Sequence, residues 1–438
     1  MSNPLFYARA LHFAATVSVA GVVFFIVFIA EPAFRQARAD PRVAVAIRAR
    51  LAWIAWISLV IALFSAVPWL IIVAGAMSGK PLGALYAQGV LWTVLTQTDF
   101  GNDWLLRSML ACLLGGLFVH FLSAKGVTSY WLKAATATLA AAYVGSLAWS
   151  GHAIGGEGAE GILHPTADVL HLVAAAAWVG ALAPLALLLA MTGADAAALA
   201  VARPATRRFS NLGMASVAAL LLSGFVNSWY LVGSIPALTG TDYGRLLLIK
   251  LYLFAAMVAI AAVNWSQLTP KLVQNADLTA AQNGRRHLCR NAAIEACLGA
   301  IVVVIVAVLG TLPPASHANQ HARSGAIPAD ATFQHIHGED GMADVMIEPG
   351  RVGTARATIR LWNDDFAPLA ARDVTLTLTA PAPGSKPTTR AALQSSDGAW
   401  IVDGVALTEP GNWMVAVRAV VGSGTRLDLE APIVVDAK

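Results

Sequence analysis

The chain has 438 residues, of which 57% are hydrophobic and only 12% charged, with a formal net charge of +4 and a mean hydropathy of +0.65. Soluble domains carry about 25% charged residues, so most of this chain is built for lipid, and no dense basic face marks it as a nucleic-acid binder. Its three cysteines, Cys112, Cys289 and Cys297, form no CxxC pair, so neither a disulfide framework nor a thiolate zinc site is supported.

Leu5 to Ala30 is the first apolar segment, and Phe13 to Ala30 runs without a charge, enough to cross a ~30 Å hydrocarbon core at 1.5 Å per residue. Glu31-Pro32-Ala33-Phe34-Arg35 follows in place of a small-residue cleavage site, so the segment reads as a retained helix. Further apolar segments run from about Leu51 to Ala76, Trp104 to Ser123, Trp131 to His152, Thr166 to Met191, Phe209 to Val232, Arg245 to Leu268 and Ala292 to Leu312. The expectation is an all-α polytopic bundle of eight transmembrane helices over residues 1–314. Basic residues concentrate in the odd-numbered loops, as at Arg35, Arg38, Arg42, Arg48 and Arg50. The positive-inside rule puts those loops in the cytoplasm and both termini outside. Between Leu82 and Leu95 an amphipathic piece bearing Tyr86 and Trp92 is expected to lie on the outer surface.

After Pro313-Pro314 the composition changes. Residues 315–330 have the Ala, His, Ser, Gly and Pro content of a linker. From Ala331 to Lys438, alternating runs such as Ala357 to Trp362, Asp373 to Thr379 and Trp413 to Arg418 are separated by Pro/Gly turns. That spacing predicts a small all-β antiparallel sandwich outside the membrane.

Polar residues inside so apolar a chain need a reason, since a charge at membrane depth costs about 2.5–3.5 kcal/mol even on lenient insertion scales. His152 closes the fourth segment, Glu157, Glu160 and His164 lie in the connection, and Asp168 and His171 fall in the first turns of the next helix. With a helix beginning near Pro165, Asp168 and His171 are three apart and share a face. His12 falls in the outer third of the first helix, and Met109, in the outer half of the third, offers a soft thioether. Imidazoles with a carboxylate suit a transition-metal ion; ligand softness ranks copper, as Cu(I) or Cu(II), ahead of zinc without excluding zinc. Against this stands the plain alternative of histidines hydrogen-bonded at helix interfaces. A second group is His317, His321, His335-Ile-His337, Met342 and Met346, where an extended strand would point both His335 and His337 to one face. Arg9, Arg107 and Arg245 near outer helix ends are expected to snorkel to the surface, and Asn227 and Asn264 to bond between helices. There is no phosphate loop, no HExxH and no nucleophilic triad order, so no enzyme is indicated.

Asp168-x-x-His171-Leu172 with Trp178-Val-Gly180, then Arg208-Phe-Ser210, Ser223-Gly-Phe-Val-Asn227-x-Trp229, Thr241 to Leu251 and Asn264 to Pro270 resemble the copper resistance protein D family of bacterial inner-membrane proteins. The likeness spans most of Leu5 to Leu312; Ala181 departs from a common second glycine and Trp265 from a common arginine. It implies copper homeostasis, with copper moved inward across the inner membrane after delivery by a periplasmic carrier of the copper resistance protein C type. The C-terminal sandwich is similar to immunoglobulin-like domains fused to such proteins. Two rival readings stand beside a copper permease. One is a b-type haem electron-transfer protein with histidines as axial ligands, and the other a non-transporting copper-delivery or assembly factor.

Overall fold

In the computed structural model, described except at residues 1–3, 79–81, 88, 123–128, 151–159, 193–195, 275–277, 313–314, 316–327, 329, 339–340, 364–367, 383–384, 423–424 and 438, the chain forms two compact units, Met1–Asn319 and Gln320–Lys438.

The first unit is helical. Among the described residues it has seven helices long and apolar enough to cross a membrane. Helix α1 (Pro4–Phe24) continues through a π turn (Phe25–Ala30) into α2 (Glu31–Ala37), and α3 is Pro41–Ser78. Two short helices, α4 (Leu82–Ala87) and α5 (Val90–Gln97), break at Gly89, which has φ 68°. They pack Leu85, Val90 and Val94 onto Leu70 and Ala74 of α3 and leave Tyr86 and Trp92 exposed. Then come α6 (Asp99–Phe121), α7 (Tyr130–Gly145), α8 (Glu160–Met191), α9 (Ala196–Val232), the short α10 (Ile235–Gly240), α11 (Asp242–Val263), α12 (Thr269–Gln274) and α13 (Leu278–Leu309). A second π turn, Asn264–Leu268, links α11 to α12.

The eighth expected crossing is not among the seven. The segment from Trp131 is a 16-residue α-helix, α7, that tightens into a 3-10 turn over Ser146–Ser150. At 1.5 Å per residue α7 alone spans about 24 Å, short of the hydrocarbon core. Other crossings overrun it instead, α8 with 32 residues among them. Helix α3 has 38 residues, α9 has 37 and α13 has 32; α3 is therefore about 57 Å long.

The bundle core is made by α1, whose Val19, Val22 and Val23, with Phe25 of the π turn that follows, are fully buried beside Trp178 and Leu182 of α8. Gly21 and Gly180 let the two backbones meet, because a Cβ on either would collide with the backbone of the other helix. That is how small residues drive packing in lipid, where burial from water supplies no force. At the basic end of the bundle, Glu31 is 5% exposed and takes Arg48 at 2.5 Å and Lys133 at 3.7 Å, so no charge is buried alone.

The second unit is a sandwich of two antiparallel sheets. One has strand order β1-β2-β3-β7-β6, with β1 (Thr332–His337), β2 (Met342–Glu348), β3 (Gly353–Trp362), β6 (Leu393–Gln394) and β7 (Trp400–Leu407). The other runs β5-β4-β8-β9, with β4 (Ala371–Thr379), β5 (Thr388–Ala391), β8 (Gly411–Val421) and β9 (Thr425–Val435). Alternate residues such as Val345, Ile359 and Val402 from one sheet and Leu376, Val417 and Leu429 from the other form one core.

Candidate functional site

Among the described residues, two of the polar groups inside the helical unit hold a histidine near an aspartate. The first is built around His12, which α1 buries to 2% exposure against α3 and α6. Its Nδ1 lies 3.0 Å from the Ala62 carbonyl and 3.1 Å from Ser65 Oγ. Nε2 is 2.6 Å from Arg107 Nη2. A guanidinium only donates, so Nε2 accepts and the proton resides on Nδ1, where it is donated to Ala62. Both ring nitrogens are thereby occupied. Arg107, 4% exposed, also donates to Ser146 Oγ at 3.2 Å and lies over the Tyr143 ring. One helical turn earlier on α6, Asp103 accepts from Ser150 Oγ at 2.6 Å. The space among His12, Trp69, Asp103 and Arg107 is about 10 Å³, the lower limit for one water molecule.

Arg107 and Arg9 thus do not snorkel. Arg9 is 9% exposed, donates to the Gly310 carbonyl at 2.7 Å and lies over the rings of Phe13 and Trp69. Packing turns both arginines inward, because the carbonyl, imidazole and aromatic faces of neighbouring helices replace water around them. Arg245 alone of the three is exposed, 3.6 Å from Asp242.

The second group is on α8, α9 and α11. Helix α8 starts at Glu160, before Pro165 rather than at it, and Asp168 and His171 share the face turned to α9. Asn227 Nδ2 donates to Asp168 Oδ1 at 3.1 Å. His171 Nδ1 is 3.0 Å from Ser223 Oγ, whose own proton goes to the Ala219 carbonyl at 2.6 Å. The serine is then the acceptor, which fixes the Nδ1–H tautomer and leaves Nε2 as a lone-pair nitrogen. Lys250 of α11 lies within electrostatic reach of both Asp168 and His171. One turn before Asp168, His164 stacks on Tyr230 with ring centroids 5.0 Å apart.

The expected gathering of ligands is only partly present. Asp168 and His171 are together with His164 near them on the same helix, but His12 has its own partners on α3 and α6. Met109 is 52% exposed on the outside of α6 and does not line the space beside His12. His152, His317 and His321 lie outside the described residues. In the sandwich, His335 Nδ1 meets Asp344 Oδ1 at 2.5 Å, and Trp362 Nε1 donates to Asp344 Oδ2 at 2.9 Å. His337 ends β1, and its side chain is outside what is described. Among the described residues no three His, Cys, Asp or Glu side chains come close enough to hold one ion, and no pairing supports a haem.

Three partners, Asp103, Lys250 and Ser223, escaped the sequence reading, and Arg107 was expected at the surface. Asp103 and Arg107 carry a readable sign, an acid and a base four apart in an apolar helix. Lys250 is a charge well inside an apolar span, the same warning that singled out Asp168. Ser223 has no sign of its own.

Comparison with known proteins agrees with this architecture. Residues 203–309 match the family described as Copper resistance protein D, and residues 1–162 match Copper resistance protein D-like, N-terminal domain. Copper resistance protein D of Pseudomonas syringae pv. tomato is 31% identical over 256 residues, covering 58% of this chain and 81% of that protein. Inner membrane protein YebZ of Escherichia coli (strain K12) is 31% identical over 242 residues, 55% of this chain and 78% of the relative. Copper transport protein CutJ of Bacillus subtilis (strain 168) is 25% identical over 360 residues, 81% of this chain and 62% of the relative. No solved structure matches.

Proposed function

The chain belongs to the copper resistance protein D family, and from that premise we propose that it moves copper inward across the bacterial inner membrane through a His/Asp site on the periplasmic side. The observation that carries this reading is the pair Asp168 and His171. Ser223 holds His171 with Nε2 available, the form in which imidazole ligates a metal. Asp168, positioned by Asn227, supplies a carboxylate one helical turn away. Lys250 lies within electrostatic reach of both, so an arriving cuprous or cupric ion competes with the lysine for the same carboxylate and imidazole. His152 and His164 are the further ligands we assign from their positions in sequence, with a carrier of the copper resistance protein C type delivering the ion.

In this reading the basic loops face the cytoplasm. Helix α7 with its 3-10 turn makes the eighth crossing, at about 34 Å when the turn adds its steeper rise. Both termini, and the sandwich with His335 and His337, then lie in the periplasm.

The test is copper uptake into sealed vesicles holding the full chain. Uptake above protein-free vesicles, lost in the Asp168→Asn/His171→Ala variant, supports the permease. Binding without uptake assigns the protein to copper delivery or assembly instead. A double variant with unchanged uptake and copper content overturns the site.

A further inference from the structure

A cavity of about 340 Å³ opens between α8, α9, α11 and α13. None of the outer-site residues line it, and the copper reading makes no use of it. Its walls are apolar and aromatic, with Trp178, Phe209 and Trp265 among them. Met214, Leu221 and Trp265, which also border it, are 45%, 57% and 52% exposed on the outside of helices that cross the bilayer. The mouth therefore faces acyl chains rather than water.

Its inner wall is polar in a specific way. Glu295 is 1% exposed; Oε1 accepts from Asn264 Nδ2 at 2.7 Å, and Oε2 has no hydrogen-bond partner. Thr206, also 1% exposed, leaves Oγ1 unpartnered on the same cavity. Asn264 is itself held by Asn291 at 2.8 Å and opens the π turn of α11. Such turns are rare and frequent at functional sites. Two unsatisfied polar atoms in hydrocarbon cost several kcal/mol each, and a partner that satisfied both would recover that cost.

We infer that this cavity binds a membrane-dissolved phenolic ring compound of the quinol class, whose ring lies among the aromatic walls and whose hydroxyls meet Glu295 Oε2 and Thr206 Oγ1. Each part of the chemistry is demanded by the site. A hydroxyl both donates and accepts, so it serves Glu295 whether the carboxyl is ionised or protonated, and serves the threonine in either rotamer. An acyl chain would fill the space but leave both polar atoms unpaired. A phosphate headgroup would meet a carboxyl. A flat ring offers stacking to the indoles, and an apolar tail has its exit past Met214 and Leu221.

Titration of the full chain in nanodiscs with decylbenzoquinol, followed by quenching of tryptophan fluorescence, tests this. Saturable quenching is expected, with decylbenzene and decanol at least about tenfold weaker because each lacks one half of the recognised chemistry. Thr206→Val keeps the shape and removes one hydroxyl; about fivefold weaker binding is expected from one lost hydrogen bond. At Gly213 a Cβ would meet nothing nearer than Trp178 Cδ1 at 3.6 Å, so Gly213→Leu, confirmed as folded by its thermal unfolding, directs its branch into the cavity, and binding is expected to disappear. No saturable quenching in the natural sequence overturns the proposal. So does decylbenzene or decanol binding as tightly as the quinol, which would leave a greasy hole for lipid chains. Unchanged affinity in both variants would overturn it as well.

Discussion

Arg107 Nη2 donates to His12 Nε2 at 2.6 Å, joining α6 to α1 inside an apolar bundle. A histidine that looked like a metal ligand thus has its lone pair taken by a guanidinium. In His12→Leu the buried Arg107 loses that acceptor, and a stability loss of about 1–3 kcal/mol is expected. Copper content per chain should stay the same. A fall in copper content in purified His12→Leu would make His12 a ligand after all.

Lys250 is expected to compete with the cargo. Replacing it with methionine removes a like charge from beside the ion; two unit charges about 4 Å apart interact by about 1–4 kcal/mol, depending on local screening. Copper should bind Lys250→Met at least severalfold more tightly and leave more slowly, so that uptake at saturating copper falls while affinity rises. Equal affinities in a competition titration against a copper chelator would remove Lys250 from the site.

The Gly21–Gly180 contact tolerates no side chain. Gly180→Ala should cost about 1–3 kcal/mol through overpacking, since the clash is with backbone and not with a movable side-chain end. Gly116, where an added Cβ meets nothing within 4 Å, is the control. Thermal unfolding in detergent compares Gly180→Ala with Gly116→Ala, and similar midpoints would refute the close approach.

Glu31→Ala leaves Arg48 and Lys133 facing each other without their carboxylate. Removing one partner of a buried ion pair costs about 3–5 kcal/mol. Glu31→Ala/Arg48→Ala should recover part of that loss. A single variant as stable as the natural sequence would show the network to be ornamental.

The sandwich histidines are proposed to gather copper for the transport site by raising its local concentration. His335→Ala/His337→Ala should raise the copper concentration for half-maximal uptake severalfold and leave the maximal rate alone. A reduced maximal rate with unchanged half-saturation would place these residues in the transport step itself.

Hydropathy located the long crossings because each has to match the same slab of hydrocarbon. It misjudged their ends. Helix α3 begins at Pro41 rather than Leu51, α9 at Ala196 rather than Phe209, and α13 at Leu278 rather than Ala292. Those extensions carry Arg42, Arg48, Arg203, Arg207 and Arg285, residues that form helix readily but lower the hydropathy average. Arg285 donates to the Leu189 carbonyl and Arg203 Nε to the Leu272 carbonyl at 2.9 Å, so the basic ends are held by neighbouring helices. The polar interior was legible in depth and not in azimuth. A linear pattern says how far along a helix Arg107 lies, and only packing says that it points at His12 instead of at the headgroups. Spacing within one helix was the exception: Asp168 and His171 share a face for any α-helix through them.

The cramped, hydrogen-bonded contact among His12, Asp103 and Arg107 has a consequence for permeation. A hydrated ion cannot pass through about 10 Å³, and both ring nitrogens of His12 there are already engaged. At this level the contact of α1, α3 and α6 leaves no room for a hydrated ion to leak through. Among the described residues, the lone-pair imidazole and the large void both lie on α8, α9, α11 and α13, the side of the bundle with room for a solute.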